Sequence, residues 1–119
     1  MTTIVTILTE GYADWETALL NAAARAYFGL DTRFATPGGG PVTSSGGLKV
    51  TPDLAVEAID VAAIDALVVN GGSIWSGSDA PDISGVLVAA RDAGKTVAAI
   101  CDGTLAMARA GLLDQVAHT

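Results

Sequence analysis

Cysteine and histidine each occur once, as Cys101 and His118. One cysteine excludes an intramolecular disulfide, and one cysteine with one histidine falls short of the four ligands that a structural zinc site needs. Any thiol chemistry therefore belongs to a single sulfur. Bases are also scarce, six against thirteen acids, for a net charge of −7 and a pI near 4.2. That balance is the reverse of the basic footprint demanded by phosphate backbones, so neither a nucleic acid nor a membrane surface is an expected partner. No apolar run approaches the roughly 18 residues of a membrane span. The start, Met1-Thr2-Thr3, lacks the bases of a secretion signal and the first apolar stretch, residues 4–8, is too short for a signal core, so the expected location is cytoplasmic. Phosphate-binding motifs are missing too. Gly94-Lys95-Thr96 looks like the tail of a P-loop, but Ala89 stands where the first glycine belongs and the triplet precedes a strand. No glycine cluster gives G-x-G-x-x-G after a strand, and no cofactor or metal is expected.

What is present is enough to fold. The chain has 119 residues, half of them apolar, and a mean hydropathy of +0.47, which fits one domain with its own core. Strand and helix patterns alternate along it. Residues 3–8 form a β-branched run, and a helix follows with Asp14 as its expected N-cap. Its expected apolar face is Ala18, Leu19, Ala22, Ala23, Ala26 and Tyr27, and Gly29 is its stop. Residues 32–35 read as the next strand, and Pro37-Gly38-Gly39-Gly40-Pro41 as a mobile loop. A small hairpin is expected around Ser45-Gly46-Gly47, and a short helix within residues 52–64. Residues 66–69 read as a buried strand entering Asn70-Gly71-Gly72. A helix with Pro81 near its start runs to Gly94, and residues 97–100 form a last strand. Such alternation predicts an α/β fold, a mainly parallel sheet between helical layers, with sites beyond the carboxyl ends of its strands.

The most informative segment is Val97-Ala98-Ala99-Ile100-Cys101-Asp102-Gly103-Thr104-Leu105-Ala106, a strand running into a helix through a tight turn. Cys101 sits at the corner, where an elbow pushes a nucleophile into a cleft and the helix N-terminus favours a thiolate. A lone buried cysteine is ordinarily a small hydrophobe, and the elbow argues against that reading here.

With this elbow, residues 7–17 after the first strand, Asn70-Gly71-Gly72 after the middle strand, and Ala117-His118-Thr119 at the end, the sequence resembles the DJ-1/PfpI superfamily, also called class I glutamine amidotransferase-like proteins. The resemblance implies a flavodoxin-like three-layer sandwich. It implies that Cys101 is the nucleophile, that Glu16 hydrogen-bonds its sulfur, and that His118 lies near the thiol. The amides of Gly72 and Asp102 would form the oxyanion site, with Trp15, Gly71 and Gly103 lining the pocket. A carboxyl beside a thiolate is useful when protonated, since it then donates a hydrogen bond and acts as a general acid. Each of these residues also has a plainer role: Glu16 as an acid in a first helical turn, Gly71-Gly72 as a turn, Asp102 as a helix cap, Trp15 as cover for the sheet.

Two departures from the family pattern matter. Protease-like members carry histidine directly after the nucleophile, where this chain has Asp102, which speaks against a peptidase-type Cys-His pair. Members also continue with further strands and a closing helix beyond the position of His118. The domain, spanning residues 1–119, is thus expected to lack its carboxyl-terminal part. An apolar strand edge would then need cover from a companion fragment or from a second copy in a homo-oligomer. The expected function is a cysteine-dependent enzyme on small carbonyl or amide substrates, glyoxalase- or amidase-like. The alternative is a redox stress sensor or chaperone-like protein whose Cys101 is oxidised without turnover.

Overall fold

The computed structural model describes residues 1–117, so His118 lies outside the described residues. Five strands form one parallel sheet: β1 (Thr3–Ile7), β2 (Asp31–Thr36), β5 (Leu54–Ala55), β6 (Ala66–Val69) and β7 (Thr96–Ala99). Their order is β5-β2-β1-β6-β7, which puts β1 at the centre. The expected hairpin is present as an antiparallel pair, β3 (Val42–Thr43) and β4 (Lys49–Val50).

Alternation within the strands decides the layers. Val5, Ile7, Leu67 and Val69 point to one face, where they pack against Leu87 and Ala90 of α2 (Ser84–Asp92), Ala106 of α3 (Thr104–Arg109) and the buried Trp75. Ile4 and Val68 point to the other face and meet Ala24 of α1 (Asp14–Ala26). This is the expected α/β sandwich, with the sheet's carboxyl ends converging on one rim.

Several local expectations give way to tertiary contacts. The helix α1 does not turn its apolar stripe inward. Thr17, Asn21 and Ala24 face the sheet, because Asn21 Nδ2 donates to Thr6 Oγ1 at 3.3 Å and Thr17 Oγ1 donates to Asn70 Oδ1 at 2.5 Å. Leu19 and Tyr27 are left 79% and 85% exposed. Asp14 is not the N-cap; Ala13 holds that position without a side-chain bond. The Asp14 carboxylate instead accepts from Ser44 Oγ and Gly46 N, fastening the β3–β4 hairpin to the start of α1.

Residues 52–64 hold no α-helix. Phe34 and Asp53 exchange hydrogen bonds that draw this segment onto the sheet as β5, and two 3₁₀ turns, Val56–Ala58 and Val61–Ala63, follow. The run after β2 is a 3₁₀ turn, Pro37–Gly39, rather than a free loop: Glu57 accepts from Gly38 N and Gly40 O accepts from Thr36 Oγ1. Pro81 precedes α2 instead of opening it, and Asp82 accepts from the backbone and hydroxyl of Ser84. Strand β7 ends one residue early, since the chain turns at Cys101 immediately after Ile100 N bonds Val69 O. Among the described residues no helix is long and apolar enough to cross a membrane.

Candidate active site

The rim of the sheet is built around the end of β6. Asn70 is fully buried and uses its whole side chain: Oδ1 accepts from Thr17, and Nδ2 donates to Ala13 O at 3.1 Å and Gly71 O at 2.9 Å. A buried amide satisfied in this way holds its surroundings in one arrangement. Here it locks the start of α1 to the Gly71-Gly72 turn, and Ala13 N donates to Gly71 O at 3.0 Å alongside it.

Glu16 enters from the first turn of α1. Its Oε1 accepts from Gly71 N at 2.8 Å, which directs the carboxyl to the rim and leaves Oε2 without a hydrogen bond among the described residues. Gly71 has to be glycine for this approach, because a Cβ there would overlap the Glu16 carboxyl.

Cys101 enters from β7. It is the one non-glycine residue with positive φ among the described residues, at +53°. Left-handed backbone costs a side-chain-bearing residue energy and persists where the surroundings enforce it. The enforcement is visible. Gly103 N donates to Ile100 O, and Thr104 Oγ1 donates to Cys101 O at 2.7 Å. A 3₁₀ turn, Cys101–Gly103, then leads into α3. Gly103 lies so close to β6 that a Cβ would meet Val69 O at 2.8 Å and Asn70 O at 3.3 Å. The cysteine turn is thus pressed against the same carbonyls from which the Gly71-Gly72 turn departs, and Cys101 is exposed.

The rim gathers the expected segments at one place: Glu16 bonded to Gly71, the Gly71-Gly72 turn, and the turn of Cys101, Asp102 and Gly103 packed on Asn70. The expected hydrogen bond between Glu16 and the Cys101 sulfur is absent among the described residues, the carboxyl being held by Gly71 N instead. The backbone N–H groups of Gly72 and Asp102 have no acceptor among the described residues. Asp102 is not a cap for α3, whose N-cap is Gly103 with no side-chain bond. Trp15 lies next to Glu16 and is 72% exposed. On the β1 side, Thr9 Oγ1 is buried without a partner among the described residues, 3.6 Å from where a Cβ on Gly72 would stand. The nearby Tyr12 hydroxyl is pushed above its ordinary pKa by burial and by the charge of Asp14, partly offset by a hydrogen bond with Ser44. No group of three or more acids, histidines or cysteines among the described residues is placed to hold a metal.

The DJ-1/PfpI family model matches residues 2–119. The chain belongs to the DJ-1/PfpI family. Among solved structures it is similar to the DJ-1 superfamily protein Atu0886 from Agrobacterium tumefaciens. The TM-score is 0.96 with 49% identity, covering 99% of this chain and 63% of that one. The thiJ/pfpI family protein from Bacillus anthracis follows at a TM-score of 0.84 and 28% identity, covering 97% of this chain and 58% of that one. An uncharacterized protease of Bacillus subtilis (strain 168), YoaZ, is 31% identical over 114 residues, which is 90% of this chain and 54% of YoaZ. The chain therefore spans between half and two thirds of the length of these relatives.

Two members of the rim have roles that only tertiary contacts reveal. Asn70 read as part of a turn, yet it is the buried hub of the site. Trp75, in the turn that follows Gly72, is completely buried. A tryptophan set among glycines and serines, Gly-Gly-Ser-Ile-Trp-Ser, was the available hint.

Proposed function

We propose that this DJ-1/PfpI domain carries a cysteine-dependent centre acting on small carbonyl or amide compounds, in the manner of a glyoxalase or an amidase. The observation that carries the reading is Cys101, exposed and held at positive φ on the corner between β7 and α3. Its turn packs beside two backbone N–H groups that lack acceptors.

In this reading the Cys101 thiolate attacks the carbonyl carbon. A sulfur–carbon bond forms, the carbonyl π pair moves to oxygen, and the amides of Gly72 and Asp102 receive that charge. Glu16, fixed by Gly71 N at one oxygen, delivers a proton from the other. With an aldehyde the product of this step is a hemithioacetal. With an amide the C–N bond then breaks, the leaving nitrogen departs protonated, and water hydrolyses the thioester to free the thiol. The family resemblance gives His118, outside the described residues, a part in proton transfer.

A redox role is the second reading, favoured by the exposure of the Cys101 sulfur, which leaves it open to peroxide. Turnover of methylglyoxal and simple amides, measured against Cys101→Ala, separates the two. Cysteine-dependent turnover supports the enzyme. No turnover, with one oxygen-bearing adduct at Cys101 after stoichiometric peroxide by intact mass, would replace it with the sensor.

A further inference from the structure

The helix that follows the cysteine reaches back to the opposite wall of the site. Arg109, at the end of α3, donates from Nη1 to Trp75 O at 2.6 Å. Trp75 is fully buried, and its Nε1 donates to Asn70 O at 3.0 Å while its backbone N donates to Gly72 O at 3.2 Å. Gly71 and Gly72 are therefore the crest of a loop whose two ends are bonded to each other by an indole, and whose far end is bonded to the cysteine's own helix. Arg109 makes no ion pair among the described residues. Its polar partner there is this one carbonyl.

We infer that Arg109 is a positioning residue, which through Trp75 and Asn70 sets the spacing between the Gly72 amide on the loop and the Asp102 amide at the head of α3. The idea rests on the proposed carbonyl chemistry and adds a residue 34 positions beyond the tryptophan that closes the loop. Its physical basis is leverage. Gly72 carries no side chain to anchor it; the peptide that bears its N–H is held at Gly71 O by Ala13 N and Asn70 Nδ2, and the next peptide is held at Gly72 O by Trp75 N. The cysteine turn is fixed to β6 through Gly103. Arg109 is the hydrogen bond that joins α3 to the 73–76 turn.

The test uses two reactions at the same sulfur. Alkylation by iodoacetamide displaces iodide at a saturated carbon and builds no charge on a carbonyl oxygen, so it has no need of aligned amides. Addition to methylglyoxal, or acylation by a p-nitrophenyl ester, does build that charge. In Arg109→Met the carbonyl reactions are expected to slow about tenfold, less than the roughly hundredfold cost of an ångström-scale misplacement, with kcat falling and KM steady. Alkylation should stay within about twofold of wild type, since the thiol itself is untouched. Arg109→Lys, which keeps one charged donor on a long stem, should recover most of the loss. If Arg109→Met does not fold by circular dichroism, Arg109→Gln replaces it, its shorter amide falling short of Trp75 O.

Equal carbonyl rates in wild type and variant would overturn the inference while leaving the proposed function standing. A parallel fall in alkylation, or no recovery with lysine, would also overturn it by showing a general loss of structure. A wild-type chain inert toward carbonyls yet alkylated normally would remove the proposed function and this inference together.

Discussion

Gly71 and Gly103 flank the site, and adding one methyl group to each should give opposite results. At Gly71 the new Cβ would overlap Glu16 Oε1 and stand 2.8 Å from Oε2 and 2.9 Å from Cδ. Everything it meets is the end of a flexible side chain, and Gly71 is not among the glycines at positive φ. The carboxyl must retreat by about 1 Å to reach ordinary contact, breaking the 2.8 Å bond from Gly71 N. An intramolecular hydrogen bond contributes about 0.5–1.5 kcal/mol net, so a loss of about 1 kcal/mol is expected. At Gly103 the Cβ would meet backbone oxygens of Val69 and Asn70 at 2.8 and 3.3 Å. A strand carbonyl cannot swing aside, so α3 and the cysteine turn must move, at the roughly 1–3 kcal/mol typical of overpacking. Urea unfolding of both variants measures the stability difference, and carbonyl turnover measures the chemistry. Gly71→Ala should fold nearly as well as wild type yet lose at least about tenfold in kcat, as expected for a displaced proton donor. Gly103→Ala should lose stability first. A Gly71→Ala variant that keeps full kcat would refute the placement of Glu16 in the mechanism, and one that unfolds as readily as Gly103→Ala would refute the steric contrast between the two glycines.

Trp75→Phe removes the indole donor and strands the buried Asn70 carbonyl, so unfolding free energy should drop by about 1–3 kcal/mol in chemical denaturation. Asp14 is held below its usual pKa, mainly by the Ser44 hydroxyl; its contribution to stability is therefore present above the ordinary carboxylate range and is lost as pH falls through the lowered folded value. Asp14→Asn should flatten that acid limb, and an unchanged limb in thermal melts would count against the fastening of the hairpin. The apolar side of α1, with Leu19 and Phe28 at 79% and 73% exposed, borders a groove of about 490 Å³. If copies pair through it, Leu19→Lys should shift the mass in size-exclusion light scattering to a monomer, whereas an unchanged mass would locate pairing elsewhere.

The alternation of β and α elements, the parallel class of the sheet and the position of the cysteine elbow are legible in the residues alone. These follow from local causes. The β-branched runs at residues 3–8 and 66–69, the glycine stops at Gly29 and Gly94, and the strand-turn-helix around Cys101 each depend on neighbours within a few residues. Which side of α1 faces inward depends on contacts between distant parts of the chain. Apolar periodicity pointed to Leu19 and Tyr27, but Thr6 and Asn70, distant in sequence, offered bonds that turned Thr17 and Asn21 to the sheet. The same applies to β5, whose two residues are a strand because Phe34 and Asp53 bond each other. It applies again to Asp14, whose carboxylate serves the hairpin rather than its own helix. The linkage from Arg109 through Trp75 to Asn70 has no periodicity at all. It spans 39 positions of chain, and hydrogen bonds at that separation exist only once the sheet has brought their partners to one rim.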